Sequence, residues 1–365
     1  MSKSNLHRIF TVLLVILLSF STLGILPVNS QVEDTWIELA PMQEKRRGLG
    51  VTEVDGKIYA ICGDNQNPSV EEYNPQTNTW NYKTSAPEAL VNFGMAVYNG
   101  KIYCFSSQTG KTFIYTPLYD SWEQKTPIPT ISNNIVANTL GNEIFVLDGN
   151  TKTLHVYDPN NDSWSTKASS LYNLEFRSSA STVLDGKIHV FGAVPLKYSH
   201  QIYNPISNSW SLGEPLVLSF LDPVVGATSG VNAPKRIYVF GREYFTGANF
   251  TAQSYDPNTN VWTLCASIPQ GQSNGAGVFV DDKMYVVGGG IPFIGEYTTP
   301  SNLNSLYTPI GFGSPDPSYT PPPATPTPSP PQPEFPTMIV IVTAVILGMV
   351  AVGILAYYKK NRKES

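Results

Sequence analysis

An octet that opens with Tyr and closes with Trp recurs five times in this chain, at residues 73–80, 115–122, 157–164, 203–210 and 255–262. Each copy has Pro third and Asn or Asp sixth, as in Tyr73, Pro75, Asn78 and Trp80. Such a unit reads as strand, tight turn, strand. Pro sets φ and withholds a donor, and the Asn or Asp tolerates a left-handed backbone. The Trp-to-Trp spacing of 42 to 52 residues marks a repeat architecture, in which a unit buries its apolar face only against its neighbours.

Ahead of each octet stands a second hairpin, two alternating apolar runs joined by Asp55-Gly56, Asn99-Gly100, Gly141-Asn142, Asp185-Gly186 or Asp281-Asp282. These pairs suit the positive φ of a two-residue turn. In the fifth copy residues 229–234 lengthen the turn. Each repeat is therefore strand a, turn, strand b, loop, strand c, Pro turn, strand d. Strand b begins as Lys57-Ile58-Tyr59 and returns in variants down to Lys283-Met284-Tyr285, and Trp-led d strands stand at 36, 80, 122, 164, 210 and 262. The sixth repeat, aligned on Tyr297 and Pro300, has no Trp of its own, while Trp36 has no Tyr-x-Pro before it. The N-terminal strand is expected to complete the sixth sheet, with residues 304–308 the rival for that place. A ring sealed by its own ends leaves no long exposed edge.

The hairpin with Lys-Ile-Tyr, the Gly288-Gly289 doublet closing strand b and the Tyr-x-Pro-x-x-Asn-x-Trp octet resemble the Kelch repeat, over residues 35–307. The Gly pair survives whole only there; Cys62-Gly63, Ser106-Ser107, Asp148-Gly149, Gly192-Ala193 and Gly241-Arg242 stand elsewhere. The resemblance implies an all-β fold, a six-bladed Kelch-type β-propeller over residues 31–308 closed by the N-terminal strand.

The ends read as addresses. In residues 1–30, Lys3, His7 and Arg8 precede an apolar run at 9–20 too short for a bilayer, and Val28 and Ser30 supply small residues before Gln31. That is a signal peptide, with an uncleaved anchor the alternative. Residues 309–336 are Pro-rich with interspersed Ser and Thr, an extended stalk reaching about 85 Å at about 3.1 Å per residue; a ligand for a Pro-binding module is the alternative. Residues 337–358 are apolar and about 33 Å long as a helix, which matches a membrane span. Lys359, Lys360, Arg362 and Lys363 within 359–365 place that end in the cytoplasm by the positive-inside rule. The expectation is a single-pass cell-surface protein with its N-terminal domain outside. Pro333-Glu334-Phe335-Pro336 is similar to a Pro-Glu-Phe sorting signal of some exported archaeal proteins, which implies exchange of the helix for another anchor.

With 14% charged residues and a net charge of -5, the chain offers no basic field for nucleic acid. Cys62, Cys104 and Cys265 are odd in number and irregular in spacing, so they read as buried thiols, not as a disulfide framework or zinc site.

The a–b and c–d turns are stereotyped and share one face; the b–c and d–a connections vary and share the other, where binding is expected. Near the start of strand a stand Arg47, Asn92, Asn133, Arg177, Asp222 and Ser273. In Kelch proteins this position lines the partner face around the channel mouth. The resemblance thus implies that Arg47 and Arg177 hold a carboxylate, an internal hydrogen bond being the plainer reading. The b–c loops expected to be largest, 193–200 and 241–253, carry Tyr198, His200, Arg242, Glu243, Tyr244, Phe245 and Phe250. Aromatics beside a charged pair suit a sugar ring or a protein anchor, and loop packing equally. Asn161 and Asn249 lie in glycosylation sequons, which implies exposure.

The expected function is recognition or adhesion at the cell surface, with a protein or glycan partner. The alternative is a carbohydrate-active enzyme, since the resemblance extends to copper radical oxidases and sialic acid epimerases. His155, His189 and His200 do not make a copper ligand set by their spacing. No acid–base pair stands out either, so no catalytic residue, metal or cofactor is expected.

Overall fold

The computed structural model describes residues 32–64, 67–132, 134–174, 179–194, 196–243, 250–292 and 298–320. The signal segment, Asn133, Arg177, Tyr244, Phe245, the apolar segment, the basic tail and the stalk from residue 321 lie outside the described residues. Among the described residues no helix is long and apolar enough to cross a membrane.

Six four-stranded antiparallel sheets form a ring. Blade 1 takes Gly50–Val54, Lys57–Ile61, Val70–Asn74 and Thr79–Lys83 as strands a to d. The other a strands are Gly94–Tyr98, Ile135–Leu140, Ala180–Leu184, Phe220–Ala227 and Ala276–Val280, and each a strand packs against those of both neighbouring blades around a central channel. The a–b turns take the positive φ that their residues allow, at Asp55 and Gly56, Asn99 and Gly100, Asp185 and Gly186, and Asp281 and Asp282. Six apolar clusters fill the six gaps between blades; Ile61 and Val70 of blade 1, for example, pack with Ile102 and Phe113 of blade 2.

The octet is an inter-blade latch. Its Asn or Asp takes a left-handed φ, 54° at Asn78 and 47° at Asp120, which turns the side chain inward. Asp120 Oδ1 then accepts from Tyr115 of its own strand pair (2.6 Å) and from the Thr84 N–H of the preceding blade (2.8 Å). Trp122 Nε1 donates to the Thr84 carbonyl (2.9 Å), so one residue of the neighbour is held by both its backbone groups. The same clasp holds Ala40, Thr126 and Ala168.

The sixth latch is split between the chain ends. Thr35–Glu38 pairs antiparallel with Asn304–Thr308, Trp36 opposite Tyr307. Tyr307 Oη donates to Asp34 (2.7 Å), Asp34 accepts from the Ala266 N–H (2.8 Å), and Trp36 Nε1 donates to the Ala266 carbonyl (2.9 Å). Closure by the N-terminal strand is as expected, and 304–308 is strand c of the same blade. The sequence alignment on Tyr297 and Pro300 is corrected: Thr298–Pro300 pairs with Gly290–Pro292 in a small ribbon of the b–c connection, and Tyr307 heads the octet. The unit was hidden because its Asp and Trp lie at the other end of the chain. Asp34→Ala leaves the Tyr307 hydroxyl and the Ala266 N–H without their acceptor, and is expected to cost about 1–3 kcal/mol in urea unfolding.

Residues 309–319, read from sequence as the start of the stalk, lie against the a–b turn of blade 5. Gly313 N–H donates to the Asn232 carbonyl (2.7 Å), Asp316 N–H to Gly230 (2.9 Å), and Lys235 N–H to Asp316 (3.1 Å). Lys283 Nζ stands 4.6 Å from the Phe312 ring centre. The lengthened turn at 229–235 supplies backbone partners that a two-residue turn lacks, and Asp282 gathers its amides at Ser229, Asn232 and Ala233.

Candidate functional site at the channel mouth

On the b–c and d–a face the six a strands begin around a cavity of about 260 Å³, followed along the channel by a second of about 320 Å³. The first is lined by Asn92, Asn134, Ser179, Asp222 and Asn274 above a wall of small residues such as Gly50, Gly94 and Ala180. Among the described lining residues Asp222 is the one ionisable side chain.

This polar rim is built by backbone geometry. Gly48, Asn92 and Asn274 each stand seven residues before the first residue of their a–b turn and each takes a positive φ, 64°, 48° and 58°. Gly48 N–H donates to the Asn274 carbonyl (2.7 Å), and Asn92 N–H to the Gly48 carbonyl (2.9 Å), which chains three blades together. A Cβ at Gly48 would meet Asn92 Oδ1 at 2.8 Å and Asn274 Nδ2 at 3.2 Å, so the two amides converge over that glycine. Asn134, at the same place in blade 3, donates to the Leu174 carbonyl (3.0 Å) and accepts from Ser179 (3.0 Å). In blade 5 the pairing of strands a and b skips between Leu221 and Val224, a bulge that swings Asp222 (φ 49°) to the mouth. Ser273 Oγ donates to it at 2.7 Å.

The sequence reading landed one residue away. Arg47, Asn133, Arg177 and Ser273 stand eight residues before the first turn residue, whereas the channel-lining position is the seventh. Arg47 accordingly points to its own b–c loop, where Nε meets Asp64 Oδ2 at 2.6 Å. Counting one residue further along would have found Gly48, Asn134 and Asn274. Asn92, also named from sequence, lines the cavity.

Other expected residues disperse. Tyr198 is exposed in the b–c loop of blade 4, its carbonyl accepting the Leu216 N–H (2.9 Å). Arg242 and Glu243 end strand b of blade 5, Ile237–Glu243, opposite Leu221 and Phe220, and are half-buried. His200, placed on the ligand face from sequence, is instead the first residue of strand c in blade 4, buried against Phe191 and Trp262 and bonded to His189 Nδ1 (2.8 Å). Phe250 opens strand c of blade 5 and is buried against Gly271. In both cases the strand starts earlier than a loop count suggests, and an aromatic or imidazole ring fills the gap between blades. The b–c connection of blade 6, residues 288–303, with its ribbon, outgrows those of blades 4 and 5.

On the same face, Leu171, Leu196, Tyr198 and Val217 are exposed on the connections around blades 4 and 5. These connections are tied together: Ala193–Val194 pairs with Asn173–Leu174, and Gln201 holds the Tyr172 N–H (2.9 Å).

The protein-family model described as the Kelch motif matches residues 45–87, which is blade 1 from its approach to strand a through strand d. Residues 45–87 thus carry a Kelch motif, and the six sheets make the fold a six-bladed β-propeller. Kelch-like protein 28 of Homo sapiens is 33% identical over 92 residues, 22% of this chain and 16% of that protein. Influenza virus NS1A-binding protein of Homo sapiens is 36% identical over 83 residues, 21% of this chain and 13% of that protein. The match thus spans no more than 16% of either relative. Among solved structures, that of YjhT superposes on 72% of this chain and 95% of its own chain with a TM-score of 0.59 at 14% identity, a likeness of fold.

Proposed function

We propose that this Kelch propeller is a recognition domain displayed at the cell surface, exported by residues 1–30 and anchored through 337–358, which binds a partner protein on its b–c and d–a face. The observation that carries this reading is the contrast between the two faces. The a–b and c–d face repeats nearly the same turns and latches in every blade, whereas the other differs in every blade and surrounds an open cavity. A rigid ring presenting unlike connections is a binding surface. The apolar side chains of blades 4 and 5 supply the anchors that protein interfaces concentrate at their centre.

A glycan partner is the second reading, favoured by the amides of Asn92 and Asn274 and the carboxylate of Asp222, which offer donors and acceptors to hydroxyl groups. A carbohydrate-active enzyme would need an acid and a base across the same cavity, which turnover of a bound sugar would reveal.

The two readings separate by mutation. Leu196→Ala with Tyr198→Ala is expected to weaken capture of a cell-surface protein about tenfold or more, as loss of an anchor worth over 1 kcal/mol does. Asn92→Ala with Asn274→Ala should leave that capture nearly intact. Affinities from biolayer interferometry and a glycan array run on both pairs decide it: loss only in the second pair, on a glycan, assigns the cavity, and unchanged binding in both overturns the face.

A further inference from the structure

The four most exposed large apolar side chains among the described residues are Ile206 (96%), Leu118 (81%), Tyr119 (74%) and Val32 (72%). All four lie on the turn face, opposite the candidate site. Leu118 and Tyr119 form the c–d turn of blade 2 in a 3-10 turn, Pro117–Tyr119, and Ile206 tips the c–d turn of blade 4. Val32 precedes the split latch of blade 6 by two residues. These are alternate blades, so the tips stand a third of the ring apart. Blades 1, 3 and 5 carry Gln76, Asn160 and Asn258 where blades 2 and 4 carry Leu118 and Ile206.

The described chain also leaves from this face. Residues 309–319 run along the a–b turn of blade 5 and end at Thr320, after which come the Pro-rich segment and the apolar residues 337–358.

We propose that the turn face rests on a lipid surface, with Leu118, Tyr119, Ile206 and Val32 dipping into the headgroup zone as a tripod. This rests on the reading of 337–358 as a membrane anchor. Three separated apolar tips, each flanked by polar turns, do not add up to the continuous apolar core that a protein interface buries. A flat fluid surface receives each tip independently, and a Tyr beside a Leu suits the boundary between acyl chains and water. Turn-face charges are mixed, Lys57, Lys187 and Lys283 standing beside Asp55, Asp185 and Asp281, so the apolar tips and the tether carry the contact. With residues 309–319 held on the ring, only residues 320–336 separate it from the apolar residues 337–358. The binding face then points away from the membrane.

The test uses the full chain in phosphatidylcholine nanodiscs containing a headgroup-region nitroxide lipid, with a bimane label on Leu118→Cys or Ile206→Cys. Ile131→Cys, exposed on the opposite face, is the reference, and the unsubstituted chain corrects for labelling of half-buried Cys265. Labels at 118 and 206 should shift to the blue and lose most of their emission, while the label at 131 keeps its own. A chain retained in the nanodisc whose 118 and 206 labels are quenched no more than 131 overturns the tripod alone. A chain that separates from the nanodisc on gel filtration overturns the anchor and the tripod with it. Protection of both labels together with two copies per disc assigns the tips to a second chain and overturns the lipid contact.

Discussion

Arg46→Ala is expected to destabilise the propeller by about 3–5 kcal/mol, because it breaks a fully buried ion pair and leaves the other charge behind. Arg46 and Glu71 are both inaccessible to solvent and meet at 2.7 Å. The guanidinium also donates to the carbonyls of Cys62 (3.0 Å) and Ser69 (2.8 Å) and to Ser69 Oγ (2.8 Å), so Ala would strand several acceptors. Glu71 in turn accepts the N–H groups of Gln43 (2.7 Å) and Glu44 (3.2 Å), fixing the segment that leads into strand a. Blades 4 and 5 do this job without charge: Gln201 accepts the Tyr172 N–H and Gln253 the Val217 N–H, each at 2.9 Å. The double variant Arg46→Met with Glu71→Gln should therefore recover most of the loss, since Gln keeps the acceptor and Met refills the volume. Urea unfolding of the three proteins checks this. A double variant as unstable as Arg46→Ala would show that the stranded acceptors at Cys62 and Ser69, and not the orphaned charge, set the cost.

Acidification below neutrality should loosen the seam between blades 4 and 5. His189 Nδ1 meets His200 Nε2 at 2.8 Å, and His200 Nδ1 meets the Glu214 carbonyl at 3.2 Å. If the Nδ1–H of His200 donates to that carbonyl, its Nε2 accepts from His189, and both rings are neutral. Burial holds His189 down to about 4, and burial with the adjacent His189 holds His200 down to about 3. In the unfolded chain both titrate near 6.5. Between that value and the folded values the unfolded chain binds protons that the native one refuses, so stability is full above about pH 6.5 and falls as pH drops toward 4. Each pH unit between the unfolded and folded values is worth about 1.4 kcal/mol, so His189 alone contributes on the order of 3 kcal/mol of pH dependence. The carboxylates of Asp120 and Asp162 have pKa values below their ordinary one where latch hydrogen bonds outweigh burial, and they lose their contribution at still lower pH, which keeps the two windows apart. Thermal unfolding from pH 7 to pH 4 should show a falling Tm that flattens in His189→Phe with His200→Leu. An equally steep fall in that double variant would place the acid sensitivity elsewhere.

The repeat was legible because five of the six latches draw their Tyr, Asn or Asp and Trp from one octet. Tyr115, Asp120 and Trp122 fall within eight residues, and their spacing shows in the chain before any contact is known. Turn pairs such as Asp55-Gly56 were legible for the same reason: the positive φ belongs to the residues themselves. The site was less so. Whether Arg47 or Gly48 faces the channel depends on a one-residue phase, and an Arg attracts notice where a Gly does not. Asp222 was placed near the start of strand a from sequence, but the bulge against strand b that carries it to the mouth has no local sequence mark.

The sequence by itself determined the repeat and the strand order within a blade, because these follow from local turn chemistry and from counting; it made Trp36 the expected closing strand, and the pairing of Trp36 with Tyr307 decided between it and 304–308. Tertiary structure alone decided which residues line the channel, that His200 belongs to the core, that Tyr307 and not Tyr297 completes the sixth latch, and that residues 309–319 lie on the turn face. Each of these depends on contacts between segments far apart in the chain, such as Asp34 with Tyr307 or Gly230 with Asp316, and no local preference of either partner specifies them.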